Sequence, residues 1–254
     1  VPLDVKLMHM AASLMFVGVV VGVVFAGLWG LVRLPAFALA GITVLGDVEH
    51  NNAVTLRANV ATKLTGNFFT ADLERVRHAF ESVPWVRLAS VQREFPNRLR
   101  VTLQEHKPVA YWGDDRESRL VNSYGEVFEA NVGDLDDDKM PRLNGPDSQS
   151  QQVLTMYLAL APAFKNMALS LDSLVLTDRG SWRAKLNHGA VIELGRGSVE
   201  DVMARMQRLS KTLMQVTQKL GRKVTSLESA DLRYDNGYAL RMRGVSTQDV
   251  SPKR

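Results

Sequence analysis

The chain has 254 residues, 46% of them apolar, and no cysteine. It therefore carries no disulfide staple, no thiolate nucleophile and no zinc–thiolate site. Its 31 basic and 27 acidic residues leave a net charge of +4, and the basic ones are scattered. This argues against the clustered Lys/Arg surface that a nucleic-acid binder needs and is compatible with anionic lipid nearby.

Residues 10–32 form an apolar run in which Ser13 is the one polar residue, bounded by Lys6 and Arg33. At 1.5 Å per residue a helix of that length crosses a hydrocarbon core of about 30 Å. Ala36-Phe37-Ala38 reads as a signal-peptide cleavage site, but the run is longer than a signal h-region and Arg33 stands before the cut, so an uncleaved anchor is expected. One flanking charge on each side gives no orientation. Gly18-x-x-x-Gly22 would seat a partner helix, but glycine is common in membrane helices.

Beyond an apolar linker, Ile42-Thr43-Val44 followed by Gly46 reads as a strand and turn. Asn51-Asn52 caps an expected helix to about Leu64, with Val54, Ala58, Ala61 and Leu64 on one face. Thr70 is the expected N-cap of a second helix, with Asp72 and Glu74 in its first turn and Leu73, Val76, Phe80 and Val83 as its buried stripe. Pro84 ends it. Period-2 alternation on both sides of Pro96-Asn97 then predicts a β-hairpin, with Val86, Leu88 and Ser90 on one face of its first strand and Leu99, Val101 and Leu103 on one face of its second. A three-stranded sheet with two helices on one face would bury these stripes.

Farther on, Leu120-Val121-Asn122 and Val127-Phe128 flank a short turn. Asp134 to Lys139 is an acidic loop without EF-hand ligand spacing. A helix is expected over residues 151–164, with Pro162 at its end. Three strands follow, over residues 169–177, 182–186 and 191–194. Gly195-Arg196-Gly197 lacks the further residues of a phosphate loop and reads as a strand-to-helix turn. Ser198-x-x-Asp201 is a capping box, and Val202, Met206, Leu209, Leu213, Val216 and Leu220 form a 4-3-4-3-4 stripe that Gly221 stops.

The last strands are expected over residues 230–234 and 238–242. A three-residue loop with Gly237 in the left-handed conformation would pair Tyr234 with Tyr238, Leu232 with Leu240 and Asp231 with Arg241. If no earlier strand covers it, the last strand is an open edge able to recruit another strand, with Tyr234 and Tyr238 as aromatic anchors. The alternative is that both tyrosines pad the core face.

The order β-α-α-β-β, the Val44-x-Gly46 turn, and Val83-Pro84-Trp85-Val86 leading into Arg93-x-Phe95-Pro96-Asn97-x-Leu99 resemble a POTRA domain. Its place beyond an anchor, the segment Glu105-x-x-Pro108-Val109-Ala110-x-Trp112, and the later motifs Thr177 to Trp182, Leu194 to Gly197 and Asp231 to Gly237 are similar to the FtsQ/DivIB cell-division proteins. The resemblance implies an α+β chain: residues 1–9 cytoplasmic, a transmembrane helix at 10–32, a POTRA domain at 37–107, a mostly antiparallel β domain with two packed helices at 108–244, and a flexible tail at 245–254. It implies a divisome scaffold in the bacterial inner membrane, single-pass and type II, with its bulk in the periplasm at the septum, linking early and late division proteins. FtsB and FtsL are the partners it implies, FtsB adding a strand at the terminal strands. Arg179, Arg233, Tyr234, Asn236 and Gly237 carry that role by motif match, with Tyr238, Leu240 and Met242 beside them. Leu88, Val91 and Arg93 fall where the family has its recruitment region. The chain departs from the family pattern at Asn236, where serine is usual, and at Met242, where tryptophan is.

No G-x-S-x-G, S-x-x-K or H-E-x-x-H signature is present, and the five histidines are widely spaced. No cofactor or metal is expected, and the expectation is a protein that is not an enzyme. A membrane-anchored POTRA chaperone for exported polypeptides is the alternative binding function, and a periplasmic cell-wall hydrolase the enzymatic one.

Overall fold

The computed structural model describes residues 3–50, 56, 60, 66–114, 119–131, 133, 135, 140–234 and 237–245. The chain divides into two compact units, Val1–Glu105 and His106–Arg254.

The first unit opens on α1 (Leu3–Val32). Within it Met8–Gly30 is long and apolar enough to cross a membrane, and none of it is buried by protein. One turn of 3₁₀ helix at Pro35–Phe37 leads to β1 (Gly41–Gly46), then α2 (Leu73–Glu81), β2 (Val86–Glu94) and β3 (Arg98–Glu105). Of the expected helix before α2, Leu56 and Val60 are helical and buried; Val54, Ala58, Ala61 and Leu64 lie outside the described residues.

β3 is central, parallel to β1 and antiparallel to β2. Its alternation holds: Leu99, Val101 and Leu103 are buried against Ile42, Val76, Phe80 and Ala89. Gly46 has φ +96°, and a Cβ there would lie 2.1 Å from the Leu103 carbonyl oxygen, so the turn after β1 requires glycine.

Two expectations change in this unit. The N-cap of α2 is Asp72, whose carboxylate accepts from the Arg75 N–H at 3.1 Å; Thr70 is instead tied to the Asn67 side chain in the preceding turn. In β2 the register slips between Val86 and Leu88. One extra residue there reverses the faces, so Val86 and Ala89 are buried and Leu88 is exposed.

The second unit is one nine-stranded sheet. In chain order it has β4 (Pro108–Trp112), β5 (Arg119–Asn122), β6 (Val127–Glu129), β7 (Arg142–Asn144), α3 (Ser150–Asn166), β8 (Leu171–Leu176), β9 (Ser181–Leu186), β10 (Val191–Arg196), α4 (Val199–Lys219), β11 (Leu227–Asp231) and β12 (Ala239–Met242). The strand order is β12-β11-β10-β9-β8-β7-β4-β5-β6. Five pairings are antiparallel and three parallel, so the sheet is mixed with an antiparallel majority. The helices α3 and α4 touch each other and the strands. Trp112, Leu143, Phe164, Leu174, Trp182, Ile192 and Leu209 lie in one core.

Here the helices run differently from expectation. Pro162 lies inside α3 rather than at its end. Leu158, whose carbonyl the missing N–H would have bonded, is 59% exposed, so water can take that acceptor. The Ser198–Asp201 capping box is present. Farther along α4 the buried stripe passes to Thr217, while Val216 is half-buried and Leu220 is 44% exposed. A 4-3-4-3 spacing averages 3.5 residues per turn, and a straight helix drifts about 20° per heptad against it, so the last positions rotate off the core.

Candidate functional site

β12 is the last strand of the sheet and pairs, among the described residues, only with β11. Its other side is a row of backbone donors and acceptors of the kind that recruits an added strand. Leu240 stands opposite Ala230, facing the core, and Met242 is buried; Ala239 and Arg241 point the other way and are exposed. Glu228 holds Arg241 at 3.0 Å.

The register of this hairpin differs from expectation. Asp231 pairs with Ala239 and Ser229 with Arg241, two residues out from the expected match, and the strand is Leu227–Asp231 rather than 230–234. Two contacts explain the early end. The Leu232 N–H bonds the Glu193 carbonyl of β10 at 2.8 Å, and its side chain is buried. Arg233 folds back on the Asp231 carboxylate through its backbone N–H (3.1 Å), Nε (2.8 Å) and a terminal guanidinium nitrogen (2.6 Å). The chain thus leaves β12 before Tyr234 can pair. The Arg233 hydrogen bonds hold the Asp231 carboxyl below the usual carboxylate range, and Asp231 in turn raises the guanidinium.

The two tyrosines part company. Tyr234 is 58% exposed, whereas Tyr238 packs on the core and its hydroxyl meets the Thr212 hydroxyl of α4. Gly237 is half-buried. Asn236 lies outside the described residues.

Beside β11, Arg179 and Arg233 line one groove of ≈ 720 Å³ together with Arg183, Arg196, Arg205, Asp178 and Glu193. Arg179 is held in a tight turn between β8 and β9, closed by the Gly180 N–H on the Thr177 carbonyl at 2.8 Å. Arg205 of α4 reaches the carbonyls of Leu194 (2.7 Å) and Arg196 (2.6 Å), and Arg183 pairs with Glu193 at 2.6 Å. Among the described residues the Arg179 and Arg196 side chains make no such bond. The family resemblance singled out Arg179 and Arg233 as partner-binding without bringing them together, and Arg183, Arg196 and Arg205 were not among the expected site residues. Arg183 on β9 and Arg196 at the end of β10 are exposed and Arg205 on α4 is half-buried. They converge because β9 pairs with β10 and α4 folds back on the end of β10, and β11, parallel to β10, brings Arg233 to them.

The first-unit candidates separate likewise. Leu88 is 49% exposed, and Val91 packs partly into the core. Arg93 donates to the carbonyls of Phe68 (2.7 Å), Phe69 (3.3 Å) and Ala71 (2.8 Å). One pairing went unseen in the sequence: the buried Glu105 carboxylate accepts from the backbone N–H groups of Glu49 and His50 and lies 3.2 Å from the His50 ring, which stacks on Trp85. Among the described residues no group of three or more His, Asp or Glu is placed to hold a metal. Of the acidic loop, Asp134 and residues 136–139 lie outside the described residues.

One helix long and apolar enough to cross a membrane, a three-stranded sheet packed with a helix, and a separate nine-stranded mixed sheet, all among the described residues, are the arrangement of a POTRA-bearing protein with an N-terminal anchor. Residues 37–106 match the family described as "POTRA domain, FtsQ-type", and residues 110–233 match "Cell division protein FtsQ/DivIB, C-terminal". The cell division protein FtsQ of Burkholderia pseudomallei is 42% identical over 243 residues, 95% of this chain and 94% of that protein. Those of Thiomonas arsenitoxydans and Bordetella pertussis are 36% and 35% identical, over 96% and 98% of this chain and 90% and 95% of theirs. The chain belongs to the FtsQ/DivIB family of cell division proteins.

Proposed function

We propose that this chain is a non-enzymatic scaffold of the bacterial divisome, binding FtsB/FtsL-type partners and linking early to late division proteins during septum formation. The partner adds a strand to β12, and an acidic residue flanking that strand meets Arg179 in the groove. Tyr234 supplies an exposed aromatic contact, while Leu240 and Met242 keep the edge strand seated from below. The observation that carries this reading is the edge of β12, unpaired among the described residues, lying in the same unit as an arginine-lined groove. In the same proposal residues 1–9 are cytoplasmic, residues 10–32 span the inner membrane, and both units work on the periplasmic side at the septum, 37–107 as the POTRA domain and 108–244 as the partner-binding domain. Leu88, exposed on β2, is the first-unit position best presented for recruitment.

Tyr234→Glu combined with deletion of residues 239–242 is expected to abolish co-purification with FtsB. Undiminished co-purification would refute strand addition at this edge. Weak binding of many unrelated extended peptides would point instead to a POTRA chaperone, and turnover of peptidoglycan fragments would overturn the non-enzymatic reading.

A further inference from the structure

Soon after α1 ends, the chain is pinned to the first unit through an aromatic cluster. The Phe37 carbonyl accepts from the Phe68 N–H at 2.9 Å, and the Phe37 ring meets Phe69 edge-on with centroids 4.9 Å apart. Phe68 lies 5.1 Å from Phe69 and 6.1 Å from Phe95, again edge-on. Phe68 is buried, but Phe69 is 45% and Phe95 75% exposed, and Leu34 in the linker is 46% exposed. Scattered exposed apolar residues need no explanation; three segments converging on one aromatic cluster form a patch. Arg93 fixes it, since its three bonds to the carbonyls of Phe68, Phe69 and Ala71 fasten that loop to β2.

Chain length decides what this patch can face. From Val32, the last residue of α1, to Phe37 even a fully extended chain reaches at most roughly 18 Å. Part of that linker is 3₁₀ helix, which rises only about 2 Å per residue and shortens the reach further. The polar layer of a bilayer extends about 5–8 Å beyond the hydrocarbon on each side. The covalent tether therefore keeps the cluster within reach of the headgroup layer whenever α1 spans. Arg33, over the Trp29 ring at 4.8 Å, marks the helix end. Exposed Arg98, next to the turn bearing Phe95, adds positive charge, while Glu94 nearby is paired with Arg100.

We infer that the Phe69–Phe95 patch docks the first unit on the headgroup layer of the membrane that α1 crosses, its occupant being lipid rather than protein. Aromatic side chains partition into that layer, and the flanking arginines meet lipid phosphate. The unit then has a preferred face toward the bilayer instead of swinging freely on its tether.

The absence of cysteine makes the test direct. Phe69→Cys and Phe95→Cys, each carrying a nitroxide label, are placed singly in the full chain and reconstituted into phosphatidylethanolamine vesicles containing phosphatidylglycerol. Tyr124→Cys, at an exposed position of the second unit, is the control. Collision with membrane-dissolved oxygen relative to a water-soluble nickel chelate should be severalfold higher at 69 and 95 than at 124. Labels at 69 and 95 that behave like the control would overturn the inference. So would labels that stay water-accessible in vesicles and become shielded only when another division protein is added.

Discussion

Asp147 is more than half exposed, yet it serves the core: its Oδ1 accepts from Nε1 of Trp112 at 2.8 Å, and Trp112 is wholly buried. The Trp112 hydrogen bond first, and the Arg119 guanidinium second, hold its carboxyl below the usual range. A carboxyl depressed in the folded state stabilises the fold above its unfolded pKa of about 3.9, and that contribution disappears as pH falls through the lower folded value. Asp147→Asn keeps an acceptor for Trp112 and removes the charge, so its urea midpoint should vary less below about pH 4 than that of the parent chain. Asp147→Ala leaves the indole N–H to water and should cost about 1 kcal/mol at neutral pH, the low end for an unsatisfied buried donor because the site is open to solvent. An unchanged midpoint in Asp147→Ala would show that the bond contributes nothing. The contact was invisible in the sequence because its partners stand 35 positions apart and no local pattern links them.

At the scale of elements, what repeats locally was legible and what pairs at a distance was not. The β2–β3 hairpin, the α2 stripe and the α4 capping box are written in neighbouring residues. β7 is three residues long and forms two parallel pairings, to β4 and β8; such a segment leaves almost no pattern, and parallel partners are set by crossovers rather than turns. The last hairpin was read by matching apolar to apolar, and the fold instead spends Leu232 on β10. The α4 stripe offers a measurable contrast. Leu213 is fully buried and Leu220 is 44% exposed, although the repeat treats them alike. Leu213→Ala should cost about 2–5 kcal/mol in equilibrium unfolding and Leu220→Ala within about 0.5 kcal/mol. Equal losses would mean that the core face of α4 follows the heptad to its end.

For the whole molecule, the net charge of +4 is small and looked diffuse along the chain. Folding concentrates it: five arginines and two carboxylates line the groove beside β11, and with Arg183 paired to Glu193 and Arg233 to Asp231, Arg179, Arg196 and Arg205 leave the excess positive. An excess of one sign in a cleft acts over distances that strand pairing cannot, guiding a partner before any backbone bond forms. The two parts of the proposed site should then separate kinetically. Raising ionic strength from about 0.1 M to about 1 M shortens the screening length from about 10 Å to about 3 Å. Association of an acidic-flanked FtsB segment should slow by about tenfold over that range, while dissociation, governed by the strand added to β12, should change little. Arg179→Glu with Arg196→Glu should slow association at low salt and flatten its salt dependence, because those two guanidiniums have no bonding partner among the described residues. A salt dependence that survives both substitutions would place the steering field elsewhere on the molecule. One carried mainly by the dissociation rate would mean that the arginines bind within the docked complex and do not guide its approach.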